Sequence, residues 1–84
     1  MEIQNYGWNC TEFVIVIGKT RIIYYGWKNF EMDLDYIKNN FDCRLSLSNR
    51  KYPVFHTETE AEKCMEYLKP LIEPYLVMEK LLGG

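Results

Sequence analysis

Thr11-Glu12-Phe13-Val14-Ile15-Val16-Ile17-Gly18-Lys19-Thr20-Arg21-Ile22-Ile23-Tyr24-Tyr25 reads as two strands and the turn that joins them. Both arms are dense in β-branched and aromatic side chains, which suit a pleated, half-buried surface. Gly18 supplies the positive φ that a tight turn demands, and Gly26 ends the second arm ahead of Trp27. Upstream, Ile3, Tyr6 and Trp8 predict an edge strand that stops near Asn9-Cys10.

Downstream the period changes. Leu34, Ile37 and Phe41 recur at helical spacing, with Asp33 as N-cap and Asn39-Asn40 as stop, so a short helix is expected there. Cys43, Leu45 and Leu47 alternate with Arg44, Ser46 and Ser48, which predicts a strand with one dry face. Ser48-Asn49-Arg50-Lys51 supplies turn residues. Tyr52-Pro53-Val54-Phe55-His56 then closes a second hairpin, its proline placing it at an edge or at its own start.

Thr57 and Glu60 have the spacing of a capping box, and the early glutamates complement the positive end of a helix. Ala61, Cys64, Met65 and Leu68 begin an apolar stripe that Leu71, Ile72, Tyr75 and Leu76 continue. Pro70 and Pro74 each remove a backbone donor, so a kink or break is expected near Lys69. A straight helix from Glu58 to Leu82 would be about 38 Å long, against a diameter of about 30 Å for a compact chain of this size. Its last turns must fold back or overhang, and an overhang bearing Leu76, Met78, Leu81 and Leu82 predicts a homodimer contact. The expected fold is α+β: one domain over 1–84, with an antiparallel sheet of three to five strands, a short middle helix, and a long, proline-interrupted C-terminal helix packed on one face.

Composition narrows the function classes. The 84 residues are 48% apolar and 26% charged with a net charge of −2, values of a folded domain and not of a disordered chain or a rod. Met1 to Asn5 shows no basic region followed by an apolar run, and the longest apolar stretch, Phe13 to Ile17, is too short for a bilayer. Three widely spaced cysteines, Cys10, Cys43 and Cys64, read as reduced thiols, most of them buried. A soluble cytoplasmic protein without a membrane partner is expected.

Catalytic and cofactor chemistry finds little support. Gly18-Lys19-Thr20 resembles the end of a phosphate loop, but that motif requires glycine where Phe13 stands and a helix where a strand pattern resumes. No close pair of metal ligands exists among the cysteines and His56. His56 is also the sole histidine available to activate a nucleophile, with Cys43 on the neighbouring strand as its nearest candidate. Asp33, Asp35 and Asp42 fit capping and solvation. The expectation is a protein that is not an enzyme and takes no cofactor.

Binding remains. Tyr24, Tyr25, Trp27 and Phe30 are the candidate anchors of a protein interface on or beyond the sheet edge. The alternative is nucleic acid or nucleotide on the same face, held by Lys19, Arg21 and Lys28 beside the aromatic rings. Charge favours the first, because residues 1–55 carry seven bases and six acids and residues 56–84 three bases and six acids, so no strongly basic half exists.

The segment Phe55-His56-Thr57-Glu58-Thr59-Glu60-Ala61 resembles the Phe-x-Thr-x-x-Glu-Ala junction of short orphan proteins encoded by bacteriophages and prophages, in outline over residues 12 to 68. Phe55 anchors the core, Thr57 caps, Glu60 completes the box and Ala61 lets the helix approach the sheet. The resemblance implies a non-catalytic interaction protein, an inhibitor of a host or bacterial-defence protein. The extension from Pro70 to Gly84 departs from that pattern.

Overall fold

Strand β2 (Glu12–Ile17) holds the sheet together, because three other strands pair with it. In the computed structural model, which describes the backbone of 1–18 and 21–81 and leaves out the side chains of 21, 79 and 80, β1 (Glu2–Tyr6) lies antiparallel along its full length. Strand β3 (Arg21–Ile22) returns beside its C-terminal end, pairing Val16 with Ile22 and Ile17 with Arg21. Strand β5 (Pro53–Phe55) joins the same side nearer the start of β2 through the pair Phe13 and Phe55. Strand β4 (Cys43–Leu45) completes the order β1-β2-β5-β4. The hairpin turn begins as the sequence predicts, with Gly18 at φ 71°.

Two helices follow from their caps. The Asp33 carboxylate accepts the Tyr36 N–H at 3.0 Å and opens α1 (Leu34–Asn40). Thr57 Oγ1 accepts the Glu60 N–H at 3.2 Å and opens α2 (Glu58–Leu81). Alternation along β2 then decides what each sheet face meets. Ile15 and Ile17 join Phe55 and the α2 stripe of Ala61, Cys64, Leu68 and Ile72 in the main core. Each fully buried Leu or Ile in it contributes about 1.5–3 kcal/mol. Tyr36 stacks on Tyr67 with centroids 4.7 Å apart, fastening α1 to α2.

Four expectations are corrected. Of the kink or break expected near Lys69, the break does not occur: helix α2 continues through Pro70 and Pro74, which sit on its solvent side. The carbonyls of Glu66 and Pro70, which lose their helical donors, face water there instead of the core. At about 36 Å α2 is nearly as long as the 37 Å greatest extent of the protein; its last turns do not fold back, and Val77, Met78 and Leu81 on them are exposed. Trp8 is 99% exposed on the β1–β2 turn and belongs to no strand. Leu47 lies beyond the end of β4 and is 97% exposed. Of the cysteines only Cys64 is buried; Cys43 is half-buried and Cys10 exposed. Pro53 begins an interior strand, the permitted position for a residue without an N–H.

Candidate binding face

The second face of the sheet carries Val14, Val16 and Val54, and among the described residues no helix packs on it. These valines are nonetheless buried, because long side chains lie across them. Tyr6, Ile22 and Tyr52 pack against the three valines. Arg44 reaches from β4 across β5 to Glu12 on β2, its Nε and Nη2 donating to the two carboxylate oxygens at 3.0 Å each. The pair is exposed, so it is a tether of small energetic weight. The guanidinium holds the Glu12 carboxyl below its usual range, and the carboxylate raises Arg44 in turn.

Tyr6 and Tyr52 share a hydroxyl hydrogen bond of 2.6 Å, with their rings edge to face at 5.9 Å. Burial, reinforced by that bond, pushes the Tyr52 phenol up from 10.0 to about 12. A raised phenol releases its proton sooner in the unfolded chain, so its stabilising contribution is complete below pH 10 and is lost as pH climbs towards 12. Wild-type protein followed by circular dichroism is expected to lose stability across that window. Tyr52→Phe loses less there, and about 1 kcal/mol at neutral pH from the missing hydrogen bond.

Beside this pair the chain forms a cleft of about 740 Å³. One wall is Ile22, Tyr24, Trp27 and Lys28; the other is Ser48, Asn49, Arg50 and Tyr52. The second wall is a loop held by its serines. Ser46 Oγ accepts the Tyr52 N–H at 3.1 Å and lies 3.2 Å from Ser48 Oγ, which donates to the Arg50 carbonyl at 2.8 Å. The Tyr25 N–H donates to the Lys51 carbonyl at 2.7 Å and ties the walls together. The Arg50 guanidinium then rests 5.1 Å from the centre of the Tyr24 ring. The first wall turns sharply: Gly26, Lys28 and Asn29 all have positive φ, at 87°, 50° and 65°. Lys28 and Arg50 are charged, both exposed, and among the described residues no acid lines the cleft.

The sequence-predicted anchors separate here. Tyr24 is half-buried at the cleft and Tyr25 is exposed next to it. Trp27 and Phe30 are 4% and 8% exposed, and both pack on Tyr75 of α2, at centroid distances of 6.3 and 5.4 Å. They are core residues, which corrects their assignment as surface anchors. The chain from Ile23 to Met32 wraps round to the helix side, and α2 supplies the apolar surface that takes them in. Lys19 lies outside the described residues, as does the Arg21 side chain; Lys28 is on the cleft.

Leu76 packs against the core, while Met78 and Leu81 are exposed and Leu82 lies outside the described residues. Cys43 pairs with Phe55 and joins the helix side of the sheet, whereas His56 lies 4.0 Å from Asp42. Burial raises the Cys43 thiol, the opposite of what a nucleophile needs. Among the described residues no three His, Cys, Asp or Glu side chains gather as a metal site, and no helix is long and apolar enough to cross a membrane. Arg50, Tyr52 and Trp8 were not singled out as binding residues from sequence. Arg50 and Tyr52 read there only as a turn and a strand start; Gly7 and Asn9, both turn formers, are the signal that Trp8 sits on a tip. Compared with known protein families, curated proteins and solved structures, the chain matches none.

Proposed function

We propose that the protein is a small, non-catalytic module that binds a partner protein through the face formed by Tyr24, Tyr25, Lys28, Arg50 and Tyr52. The cleft carries this reading: aromatic walls that among the described residues carry two cations and no acid suit an acidic protein segment that seats an apolar side chain between them. The resemblance to short phage-encoded proteins makes a host or bacterial-defence protein the class of partner, and inhibition by occlusion the mode of action. The same lining favours nucleic acid as the second reading, with bases stacked on the tyrosines.

Pull-down from host lysate, with and without nuclease, separates the two when the wild type is run beside Lys28→Glu/Arg50→Glu. Both positions are exposed, so this variant is expected to fold. One protein captured by wild type despite nuclease, and lost from the variant by about tenfold or more, supports the reading. Equal capture by both removes the cleft from it, and recovery that nuclease abolishes replaces protein with nucleic acid.

A further inference from the structure

Across β2 from that cleft, β1 ends the sheet order, so among the described residues its outer edge meets no strand. An edge of this kind presents a row of backbone donors and acceptors ready for another chain. Proteins commonly guard such edges with lysine, proline or a bulge. β1 reads Glu-Ile-Gln-Asn-Tyr and pairs with β2 at all five residues without interruption.

At the start of this strand a groove of about 620 Å³ lies between Met1, Glu2 and Ile3 and the first half of α2. Met1, Ile3 and Met65 give it an apolar part, each packed on the main core. Its rim is acidic: Glu58, Glu62 and Glu66 succeed one another at every fourth position of α2 and line the groove, with Glu2 on the strand side. Among the described residues Lys63 is the one base of the lining, its ammonium 3.7 Å from Glu60, and Lys69 lies 3.6 Å from Glu66 at the far end of the ridge. Among the same residues Glu58 and Glu62 are left without an ion-pair partner, and the ridge is net acidic.

We propose that the β1 edge and the Glu58, Glu62 and Glu66 ridge form a docking site for a basic, extended segment of a partner protein, which adds to the sheet as a further strand. Spacing supports the match. Residues four apart on a helix are about 6 Å apart along its axis, and alternate residues of a strand are about 6.6–6.8 Å apart. A strand with lysine or arginine at alternate positions therefore sets its cations at nearly the repeat of the glutamates, while its backbone completes the edge ladder. Charge also selects this occupant over a second copy, since pairing two β1 edges would bring two acidic ridges together. The site is independent of the cleft, and either stands without the other.

The test uses a short fluorescent peptide alternating lysine with valine, followed by anisotropy and by amide shifts of the intact protein. Its controls are a peptide of the same composition with its lysines consecutive, and the alternating peptide with N-methyl groups on alternate amides. Expected are shifts in Glu2 to Tyr6, and weakening on the order of tenfold in Glu58→Gln/Glu62→Gln/Glu66→Gln, three exposed substitutions that leave the core untouched. N-methylation is expected to weaken binding at least as much. Equal affinity for the consecutive-lysine peptide would reduce the site to bulk charge attraction and overturn the proposal. Undiminished binding of the methylated peptide, or no binding at millimolar concentration, overturns it as well. So does self-association through β1 that the peptide fails to displace, in favour of a second copy.

Discussion

Phe55→Ala is expected to cost about 3–5 kcal/mol, against a total of about 4–13 kcal/mol for a chain of this length. Phe55 is fully buried and pairs with Phe13 on β2 and with Cys43 on β4. It also belongs to the cluster that receives Cys64, Leu68 and Ile72 from α2. Removing the ring therefore empties the place where both hairpins and the helix meet, and no neighbour can fill the hole without leaving its own strand or helix. Urea unfolding followed by tryptophan fluorescence should show a large drop in midpoint. Phe55→Leu, which keeps most of the apolar volume, falls much less. A loss below about 1 kcal/mol for the alanine variant would mean that the helix, and not the β2–β5 junction, holds the sheet.

Pro70→Ala should move stability the other way. Proline inside a helix is about 3 kcal/mol less favourable than alanine, and its stiffening of the unfolded chain returns only about 0.4–1 kcal/mol. Pro70 and Pro74 are exposed, so substitution costs little packing. Each restores a backbone donor, to the carbonyl of Glu66 or of Pro70. A net gain of about 2 kcal/mol per site is expected, read as a rise in Tm of about 4–8 °C per kcal/mol. The double variant should fall short of the sum, because the two sites share one turn. A loss of stability instead would show that the prolines bend α2 to the curvature of the sheet. Truncation after Lys69 is the wrong probe of this helix, since it removes the buried Ile72 and the Tyr75 ring that covers Trp27 and Phe30.

Period and capping carried most of the architecture. The hairpins, both helix starts and the apolar stripe of α2 are local patterns, and local patterns can be read from a sequence. What failed depended on facing. Whether a proline breaks a helix turns on which side it occupies, and Pro70 and Pro74 fall opposite the stripe. Whether Trp27 anchors a partner or the core depends on where a left-handed turn at Lys28 and Asn29 sends the chain. Asn29 is a residue that tolerates positive φ, but nothing in the type of Lys28 announces it. The cleft is hidden for a further reason: it joins Tyr24 to Arg50, residues far apart in sequence that meet because β3 and β5 pair with the same strand and the Tyr25 N–H bonds the Lys51 carbonyl.

The sheet has one thin place. The β1–β2 ladder runs over five registered pairs and the β4–β5 ladder over three, but one pair, Phe13 with Phe55, joins β2 to β5. A seam therefore runs down the sheet between its two hairpins, and each can keep its own ladder while the seam parts. Helix α2, lying on both sides of it, acts as the clasp. Opening along this line would have to break the bonds that cross it, Tyr25 to Lys51, Tyr6 to Tyr52 and Arg44 to Glu12, so these contacts set how far the cleft wall from Ser48 to Tyr52 can part from the wall from Ile22 to Trp27.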